Sequence, residues 1–303
     1  MMDRGEGMRN SGYASRERRL APYLFISPFY VVFVLVFLAP IVYAIYLSLT
    51  EWRGIGIPRF VGLSNYVEIA SSSDARAVLG NTLWYTIGSL LTIIPIAFVL
   101  ALMLNTPWNR LRHGLRLMYF LPSITSAIVI GINFSLLYDT RYGLLNWVLG
   151  LVGLPAVPWL EARAWFKPSA LIMMVWRWVG YNAVYFLAGL QTIPPDLLEA
   201  AHVDGANWWR RLQHVTIPLL RPVFLYVLLV EVIADFQLFE DIYILSPTGG
   251  RAETGLTIAM YLYRAGFVYS RMGYAAALGI ALAVIIFIVA FIQLRALGTF
   301  REY

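Results

Sequence analysis

The sequence predicts an all-α integral membrane protein with six transmembrane helices, and three observations support this fold class. Of the 303 residues, 60% are hydrophobic and only 13% are charged, whereas a soluble domain carries about 25% charged residues. Several apolar runs reach the roughly 20 residues that a helix needs to cross a hydrocarbon core of about 30 Å. Most arginines lie in the polar connections between these runs. The lipid bilayer is therefore the first partner that the sequence predicts.

Six apolar segments are the candidate spans. They cover residues 22–49, 81–104, 117–138, 168–192, 217–246 and 274–296. With the N-terminus inside the cell, the inside segments hold roughly 13 Lys and Arg residues and the longer outside segments hold about nine, which agrees with the positive-inside rule. We expect a cytoplasmic tail at residues 1–21, a transmembrane domain at 22–303, and both termini in the cytoplasm of a multi-pass plasma-membrane protein.

The composition excludes several classes of functional site. No cysteine is present, so disulfides, thiol catalysis and cysteine-ligated metals are excluded. The three histidines, His113, His202 and His214, are scattered in polar connections, so no metal site is predicted. Lys167, the only lysine, follows aromatic residues and not the glycine that a phosphate-binding P-loop requires. The chain therefore has no such ATP-binding motif, and its net charge of +6 reflects membrane topology and not binding to nucleic acid.

The longest polar interval on the expected cytoplasmic side lies at about residues 193–218. Pro195 suits the first turn of a helix, where its missing N–H is harmless, and a short helix is predicted over residues 196–204. Gly205 can end this helix in a left-handed conformation, and Asn207 is a candidate cap for a second short helix, WWRRLQH. From these residues alone, the interval is either an amphipathic connector on lipid headgroups or a helix that docks into a partner protein.

The stretch EAAHVDGANWWRRLQHVTIPLL resembles the EAA loop of ATP-binding-cassette (ABC) importer permeases. The residues that match this loop are Glu199, Ala200, Ala201, Asp204, Gly205, Ala206, Ile217 and Pro218. The segments FVGLSNY, the NT of Asn81 and Thr82, AGLQTIP and FEDIYILSPTGG are similar to the carbohydrate-uptake branch of these permeases, and FVGLSNY to their maltose- and glycerol-phosphate-type first subunit. The chain departs from the family in reading PTGGRAET where a GGP element is common, and the extra outer domain of the enteric maltose permease is absent.

The resemblance implies a type I ABC importer permease fold, in a bacterial or archaeal inner membrane, and a set of partners. These partners are a second, different permease, two ATP-binding subunits that hold ATP and Mg, and an extracytoplasmic solute-binding protein for a sugar or oligosaccharide. The permease itself is then not an enzyme and holds no cofactor. Coupling to the ATPases is assigned to Glu199, Ala200, Ala201, Asp204, Gly205 and Ala206. Loops 50–80, 139–167 and 247–273 are the expected contact surfaces for the solute-binding protein.

Ionisable residues inside the spans are a second group of candidates. Glu231 and Asp235 lie four residues apart and therefore on one helix face, and Arg177 lies at a comparable depth in the fourth span. Intramembrane charges usually face a water-filled path or a partner charge. Arg177 either forms an ion pair with one of the two carboxylates, or at least one of the three contacts the sugar. Glu240 and Asp241, near the outer end of the fifth span, are expected to be hydrated in the headgroup region.

Polar and aromatic residues of the fourth span complete the candidate substrate path. Tyr181 and Asn182 follow Gly180 and match a polar position of the family in this helix. Tyr181 and Tyr185 have rings that can stack on sugar faces. We expect these residues either to line the path or to pack between helices.

Two other function classes compete with the permease. A self-sufficient proton-coupled secondary transporter would use Glu231 and Asp235 as proton carriers, but it predicts sequence symmetry between the two halves, and none is visible. An intramembrane enzyme with paired carboxylates would need acidic clusters with metal-binding spacing, which this pair lacks. Copurification of a second permease and an ATPase pair distinguishes the permease from both.

Overall fold

The structure is a computed structural model that describes residues 10–105 and 112–296. Residues 1–9 of the expected N-terminal tail, the connection 106–111 and the C-terminal residues 297–303 lie outside the described residues. The helices of the first half are α1 (Asn10–Phe33), α2 (Ala39–Ser48), α3 (Ser64–Ser71), α4 (Ser73–Leu104), α5 (Arg112–Ile124), α6 (Ala127–Leu137) and α7 (Leu144–Leu151). The helices of the second half are α8 (Phe166–Gln191), α9 (Pro195–Val203), α10 (Trp208–Arg211), α11 (Ile217–Leu219), α12 (Arg221–Phe236), α13 (Glu240–Leu245), α14 (Ile258–Tyr263) and α15 (Met272–Ala296).

Short elements connect these helices. Val34–Leu38, Leu212–Thr216 and Arg264–Val268 are π-helical turns, and Arg251–Glu253 is a 3-10 turn. A small antiparallel hairpin pairs β1 (Thr50–Glu51) with β2 (Arg59–Phe60), with Thr50 opposite Phe60. The chain is thus all-α apart from this hairpin in the described residues.

Four helical segments of the described chain are long and apolar enough to cross a membrane. They are Pro22–Ser48, Ser73–Leu104, Phe166–Gln191 and Met272–Arg295. Two bent pairs, Leu117–Ile124 with Ala127–Leu137 and Trp208–Leu219 with Arg221–Phe236, raise the number to six if each pair is one span. The six segments that hydropathy predicts correspond to these four helices and two pairs.

The third and fifth predicted spans are bent, because backbone geometry interrupts them. Helices α5 and α6 meet at 102°, where Ser126 has an extended backbone (φ −54, ψ 133). Helix α12 follows a bend of 65°, and Pro222 in its first turn has no N–H to continue the preceding helix. The fifth predicted span also breaks a second time, since α12 ends at Phe236 and α13 begins at Glu240.

Helices α4 and α8 form the centre of the bundle, and α12 packs against both. Tyr85 of α4, Phe186 of α8 and Phe236 of α12 are almost completely buried in this core. Helix α5 also packs on α8 at Gly180, where a Cβ atom would lie 1.7 Å from the carbonyl oxygen of Tyr119. Small residues permit this close approach of helices in membranes, so glycine is needed at position 180.

The first span leaves most of its apolar surface uncovered. Only 6% of the most apolar part of Pro22–Ser48 is buried by the rest of the chain, although α2 contacts α15. Lipid or a second protein therefore covers this helix in the membrane.

Candidate functional site

Helix α9 lies in the connection between the fourth and fifth spans, on the surface of the bundle. It begins at Pro195, in the first helical turn as the sequence predicts, and none of its residues is buried. Glu199 and Ala200 are exposed and Ala201 is half-buried. The EAA residues therefore form an accessible helical surface that the chain itself does not cover.

A hydrogen-bonded turn closes α9 and explains the spacing of the second part of the motif. Gly205 has φ +81, and its N–H donates to the carbonyl of His202 (3.0 Å), while the N–H of Ala206 donates to the carbonyl of Ala201 (2.9 Å). These two bonds define a Schellman motif, in which the residues at the positions of Ala201 and Ala206 often make an apolar contact. Asp204 is exposed and precedes this turn. The predicted left-handed glycine is confirmed.

The second short helix starts as predicted and continues beyond the predicted end, since helical structure runs over Trp208–Leu219. The Asn207 side chain caps it, because Oδ1 accepts a hydrogen bond from the Arg210 N–H (2.8 Å). The helix α10 then gives way to the π turn Leu212–Thr216. Leu212 and Thr216 are buried, so this turn anchors the loop to the bundle.

Arg177 pairs with Asp241 and not with Glu231 or Asp235, so the predicted pairing is wrong. Its Nη1 donates to Asp241 Oδ1, its guanidinium lies 4.8 Å from the Trp178 ring centroid, and Trp178 Nε1 donates to Asp241 Oδ2 (3.2 Å). The break after α12 is the reason, because it places Asp241 on a separate helix that faces α8. Asp241 is only 5% exposed, so its expected hydration among the headgroups is also wrong.

Glu231 and Asp235 share one buried face of α12, as their spacing predicts. The Asn182 side chain donates from Nδ2 to Glu231 Oε2 (3.0 Å), which joins α8 to α12. The Ser89 hydroxyl donates to Asp235 Oδ2, which joins α4 to α12. Both carboxylates therefore form bridges inside the bundle and lie away from its exposed surface.

Tyrosines line an open face of the same helices. Tyr181 and Tyr185 are half-buried, with hydroxyls 2.7 Å apart and ring centroids 5.1 Å apart. The ring of Tyr226, which is 47% exposed, lies 5.2 Å from that of Tyr185. Of the predicted path residues, Tyr181 and Tyr185 reach this face, whereas Arg177, Asn182, Glu231 and Asp235 are buried.

Sequence reasoning missed four residues of this region. Ser89 is the missing partner of Asp235, and serine at helix contacts in membranes is a known signal for such a bond. Tyr226 and Ala234 of α12 are exposed, and so is Gln237 directly after this helix. The helical period of 3.6 residues could have found Tyr226, because nine residues make two and a half turns and place it opposite Asp235.

A second candidate surface lies at the other end of the bundle, near α3 and the start of α15. A cavity of about 480 Å³ there is lined by Trp52, Glu68, Arg271 and other polar residues. Arg271 Nη2 donates to Glu68 (2.6 Å), and this hydrogen bond raises the pKa of Arg271 against the lowering effect of burial. This surface therefore carries an exposed ion pair.

The loop before α14 is held by the NT segment. Asn81 Nδ2 donates to the carbonyl of Leu256 (2.9 Å), and Thr82 Oγ1 accepts from the N–H of Ile258 (3.0 Å). These bonds give a structural reason for the NT segment.

Comparisons with known proteins agree on one family. Residues 93–296 match the family described as "Binding-protein-dependent transport system inner membrane component". The arabinooligosaccharide transport system permease AraP of Bacillus subtilis is 38% identical over 94% of this chain and 90% of its own length. The lactose transport system permease LacF of Rhizobium radiobacter is 32% identical over 90% of this chain and 93% of its own.

Solved structures show the same fold. A chain of a bacterial alginate ABC transporter, in complex with a periplasmic protein that holds an alginate pentasaccharide, superposes with a TM-score of 0.84 at 24% identity and covers 96% of this chain and 98% of its own. A second structure, of a bacterial ABC transporter that imports the acidic polysaccharide alginate, has a TM-score of 0.83 at 25% identity, over 96% and 99% of the two chains. The chain therefore belongs to the family of binding-protein-dependent transport system inner membrane components and has the type I ABC importer permease fold.

Proposed function

We propose that this chain forms one half of the translocation path of an ABC importer for a sugar or oligosaccharide, and that α9 couples it to an ATPase. The observation that carries this proposal is the uncovered helix α9, which ends just before Gly205 and lies between the fourth and fifth predicted spans. The relatives that transport arabinooligosaccharides and lactose support the class of substrate.

The importer that we propose contains four membrane-associated subunits and a soluble receptor. A second and different permease completes the path, because six spans are too few to enclose a sugar. Two ATP-binding subunits hold ATP and Mg on the cytoplasmic side, where we place α9 and both termini. An extracytoplasmic solute-binding protein contacts loops 50–80, 139–167 and 247–273. The charged cavity at Glu68 and Arg271 belongs to this outer surface.

The coupling residues have distinct proposed roles in docking. Helix-in-groove docking uses apolar positions for affinity and charged positions for register. Glu199 is exposed and supplies the charged anchor, and Ala200 and Ala201 permit close approach to the partner. Asp204 lies at the exposed end of α9, and Gly205 and Ala206 hold the turn that orients α9. Closure of the ATPases around ATP would then move α9 and change the bundle from inward-facing to outward-facing.

The path residues divide into two groups in this proposal. Tyr181 and Tyr185, with Tyr226, offer rings and hydroxyls to sugar on the open face. The buried bridges of Asn182 with Glu231 and of Ser89 with Asp235 position α12 against α8 and α4. Arg177 and Asp241 position α13. The carboxylates thus act through helix position and not through contact with substrate.

The substitution Glu199→Arg tests the coupling role. We expect uptake of a radiolabelled arabinooligosaccharide to fall more than about tenfold, because a charge reversal at the docking anchor costs roughly 1.4 kcal/mol or more of partner binding. The ATPase should no longer copurify with the tagged permease, while the amount of permease in the membrane stays unchanged.

Glu240→Arg is the matched control for this experiment. Glu240 is also exposed but lies on α13, far along the chain from α9, so the same change of charge should leave ATPase copurification intact. Normal uptake and copurification with Glu199→Arg would refute the coupling role of α9.

A further inference from the structure

A groove lies beside α9. It is lined by the last turns of α4, by the end of α8 and by residues between Trp208 and Ile217. Its volume is about 640 Å³, which is within the range of about 300–1,000 Å³ for small-molecule sites. One wall consists of apolar residues from the last turns of α4, including Val99 and Met103, and the opposite wall includes Leu198, Trp208 and Arg211. We propose that this groove binds an anionic phospholipid, with an acyl chain on the α4 wall and the phosphate at Arg211.

The depth of the groove favours a lipid as its occupant. The groove wall from α4 is formed by the last turns of Ser73–Leu104, a helix that is long and apolar enough to cross the membrane. The groove therefore lies at one end of a membrane-spanning helix. Val99 and Met103 are 53% and 65% exposed, so they present apolar surface where the hydrocarbon region gives way to headgroups. Trp208 and Trp209 are 58% and 56% exposed at the same level, and tryptophan prefers this interface.

The charge at the groove favours an anionic headgroup. Arg211 Nε is a buried donor that has no hydrogen-bond partner among the described residues, and its side chain lines the groove. Because Nε itself is closed to solvent, a phosphate in the groove would meet the terminal nitrogens of the guanidinium. A guanidinium presents several donors to one phosphate, and Arg211 is the one charged residue among the described residues that line the groove.

The position of Leu198 connects the groove to coupling. Leu198 lies on α9 and also lines the groove, so a bound acyl chain would support α9 from the membrane side. This inference does not depend on which sugar is carried.

Native mass spectrometry of the purified full-length chain tests the proposal. The chain is incubated with phosphatidylglycerol or with phosphatidylcholine of the same acyl chains, and the bound fraction of each is measured. We expect the chain to retain phosphatidylglycerol, and Arg211→Gln to reduce the retained fraction about fivefold, as expected for one basic residue at an anionic headgroup. Arg210→Gln is the matched control, because Arg210 is exposed and does not line the groove.

A second pair of variants tests the apolar wall without changing any charge. Val99→Trp fills the groove and should displace the lipid, while Ile96→Trp, three residues earlier on the same exposed helix surface, should not. This pair decides the question if Arg211→Gln fails to fold. Equal retention of the two lipids would overturn the proposal, as would equal effects within either pair of variants. Full competition by glycerol phosphate would also overturn it, and so would loss of the lipid from the wild-type chain when its co-expressed partner subunits bind.

Discussion

Arg177 shows how a single charge is kept inside this bundle. Arg177 is 7% exposed as a residue, and its guanidinium pairs with Asp241 and lies over the Trp178 ring. Removing two charges from water costs several kcal/mol per ion, and only good geometry with further hydrogen bonds offsets this cost. Trp178 Nε1 supplies such a bond to Asp241. The pair therefore joins α8 to α13. This contact is possible because α13 is a separate helix, which begins after the helical break that follows Phe236.

Asp241→Ala should destabilise the protein strongly. Arg177 would remain buried with no carboxylate beside it, which typically costs about 3–5 kcal/mol. We expect the melting temperature of the detergent-solubilised chain to fall by roughly 10 °C, as measured by intrinsic tryptophan fluorescence.

Two further variants separate lost pairing from other effects of Asp241→Ala. Arg177→Met combined with Asp241→Ala should recover most of the lost stability, because no buried charge then remains unpaired. Glu240→Ala, at the exposed neighbouring position, should melt within about 2 °C of wild type. A double variant as unstable as Asp241→Ala alone would contradict the ion-pair explanation.

Substitution of Gly205 tests whether the left-handed backbone conformation of the turn after α9 is needed. The φ of Gly205 is +81, and a Cβ atom there would meet nothing within 4 Å. A substitution therefore acts through backbone strain alone, which is about 1–2 kcal/mol for an ordinary residue and larger for a β-branched one. Gly205→Val should reduce uptake and ATPase copurification at least about fivefold.

Gly205→Asn is the control, because asparagine tolerates the left-handed conformation. We expect it to remain within about twofold of wild type in both measurements. If valine and asparagine behave alike, the left-handed turn is not what orients α9.

At the scale of elements, α12 has two faces with different chemistry. Val227, Glu231 and Asp235 are buried against α4 and α8, whereas Tyr226 and Ala234 are exposed. An intramembrane helix with a polar, bridged inner face is fixed in rotation, because turning it would break both hydrogen bonds. Its outer face is therefore presented in one defined orientation.

Cysteine labelling can test whether that outer face lines a water-filled path. The chain contains no cysteine, so each single-cysteine variant has one labelling site on this chain. In the assembled importer, Ala234→Cys should react with a membrane-impermeant maleimide about tenfold faster than Ile288→Cys on the exposed side of α15, because thiolate forms in water and not in lipid. Val232→Cys, at a position only 2% exposed, should stay unlabelled. Equal rates at positions 234 and 288 would place the outer face of α12 in lipid.

Hydropathy predicted the long helices well, but it could not predict their ends. The fourth span was expected at residues 168–192 and is Phe166–Gln191. The second was expected from residue 81, but α4 begins at Ser73, because the Ser72 hydroxyl caps a polar first turn outside the apolar run. An apolar run reports the bilayer-crossing part of a helix, and the capping residue decides where the helix starts.

The breaks and the side-chain partners lay beyond sequence reasoning for a different reason. Pro95 lies inside α4 without ending it, whereas α5 ends two residues after Pro122. Proline is tolerated in membrane helices when neighbouring helices compensate, so it is an ambiguous signal there. The partner of Arg177 depends on the break after Phe236, which no local pattern marks. The motif at Glu199–Ala206, in contrast, follows from local turn chemistry and was predictable.

At the scale of the whole molecule, the described residues leave three surfaces uncovered, and these surfaces differ in chemistry. Helices α1 and α2 are apolar and almost uncovered along Pro22–Ser48, the tyrosine face of α8 and α12 is open, and α9 is exposed. Single exposed apolar residues are normal in any protein. In the proposed importer, lipid, a second permease and an ATPase cover these three surfaces.

Reconstitution into liposomes tests whether transport requires the proposed partner subunits. We expect the chain alone to move no measurable sugar, either with ATP inside or with a proton gradient across the membrane. The reason is that its buried carboxylates are held by Asn182 and Ser89 inside the bundle, and the proposed path needs a second permease to close it. Addition of the second permease, the ATPase pair and the solute-binding protein should produce uptake that depends on ATP and persists when an uncoupler removes the proton gradient.

Uptake by the chain alone along a proton gradient would instead support the secondary transporter, with Glu231 and Asp235 as its proton carriers. Both carboxylates would then have to reach water during each cycle, so Glu231→Gln and Asp235→Asn would abolish that uptake. In the ABC importer, the same substitutions preserve part of the hydrogen bonding to Asn182 and Ser89. They should therefore reduce ATP-driven uptake only about two- to fivefold.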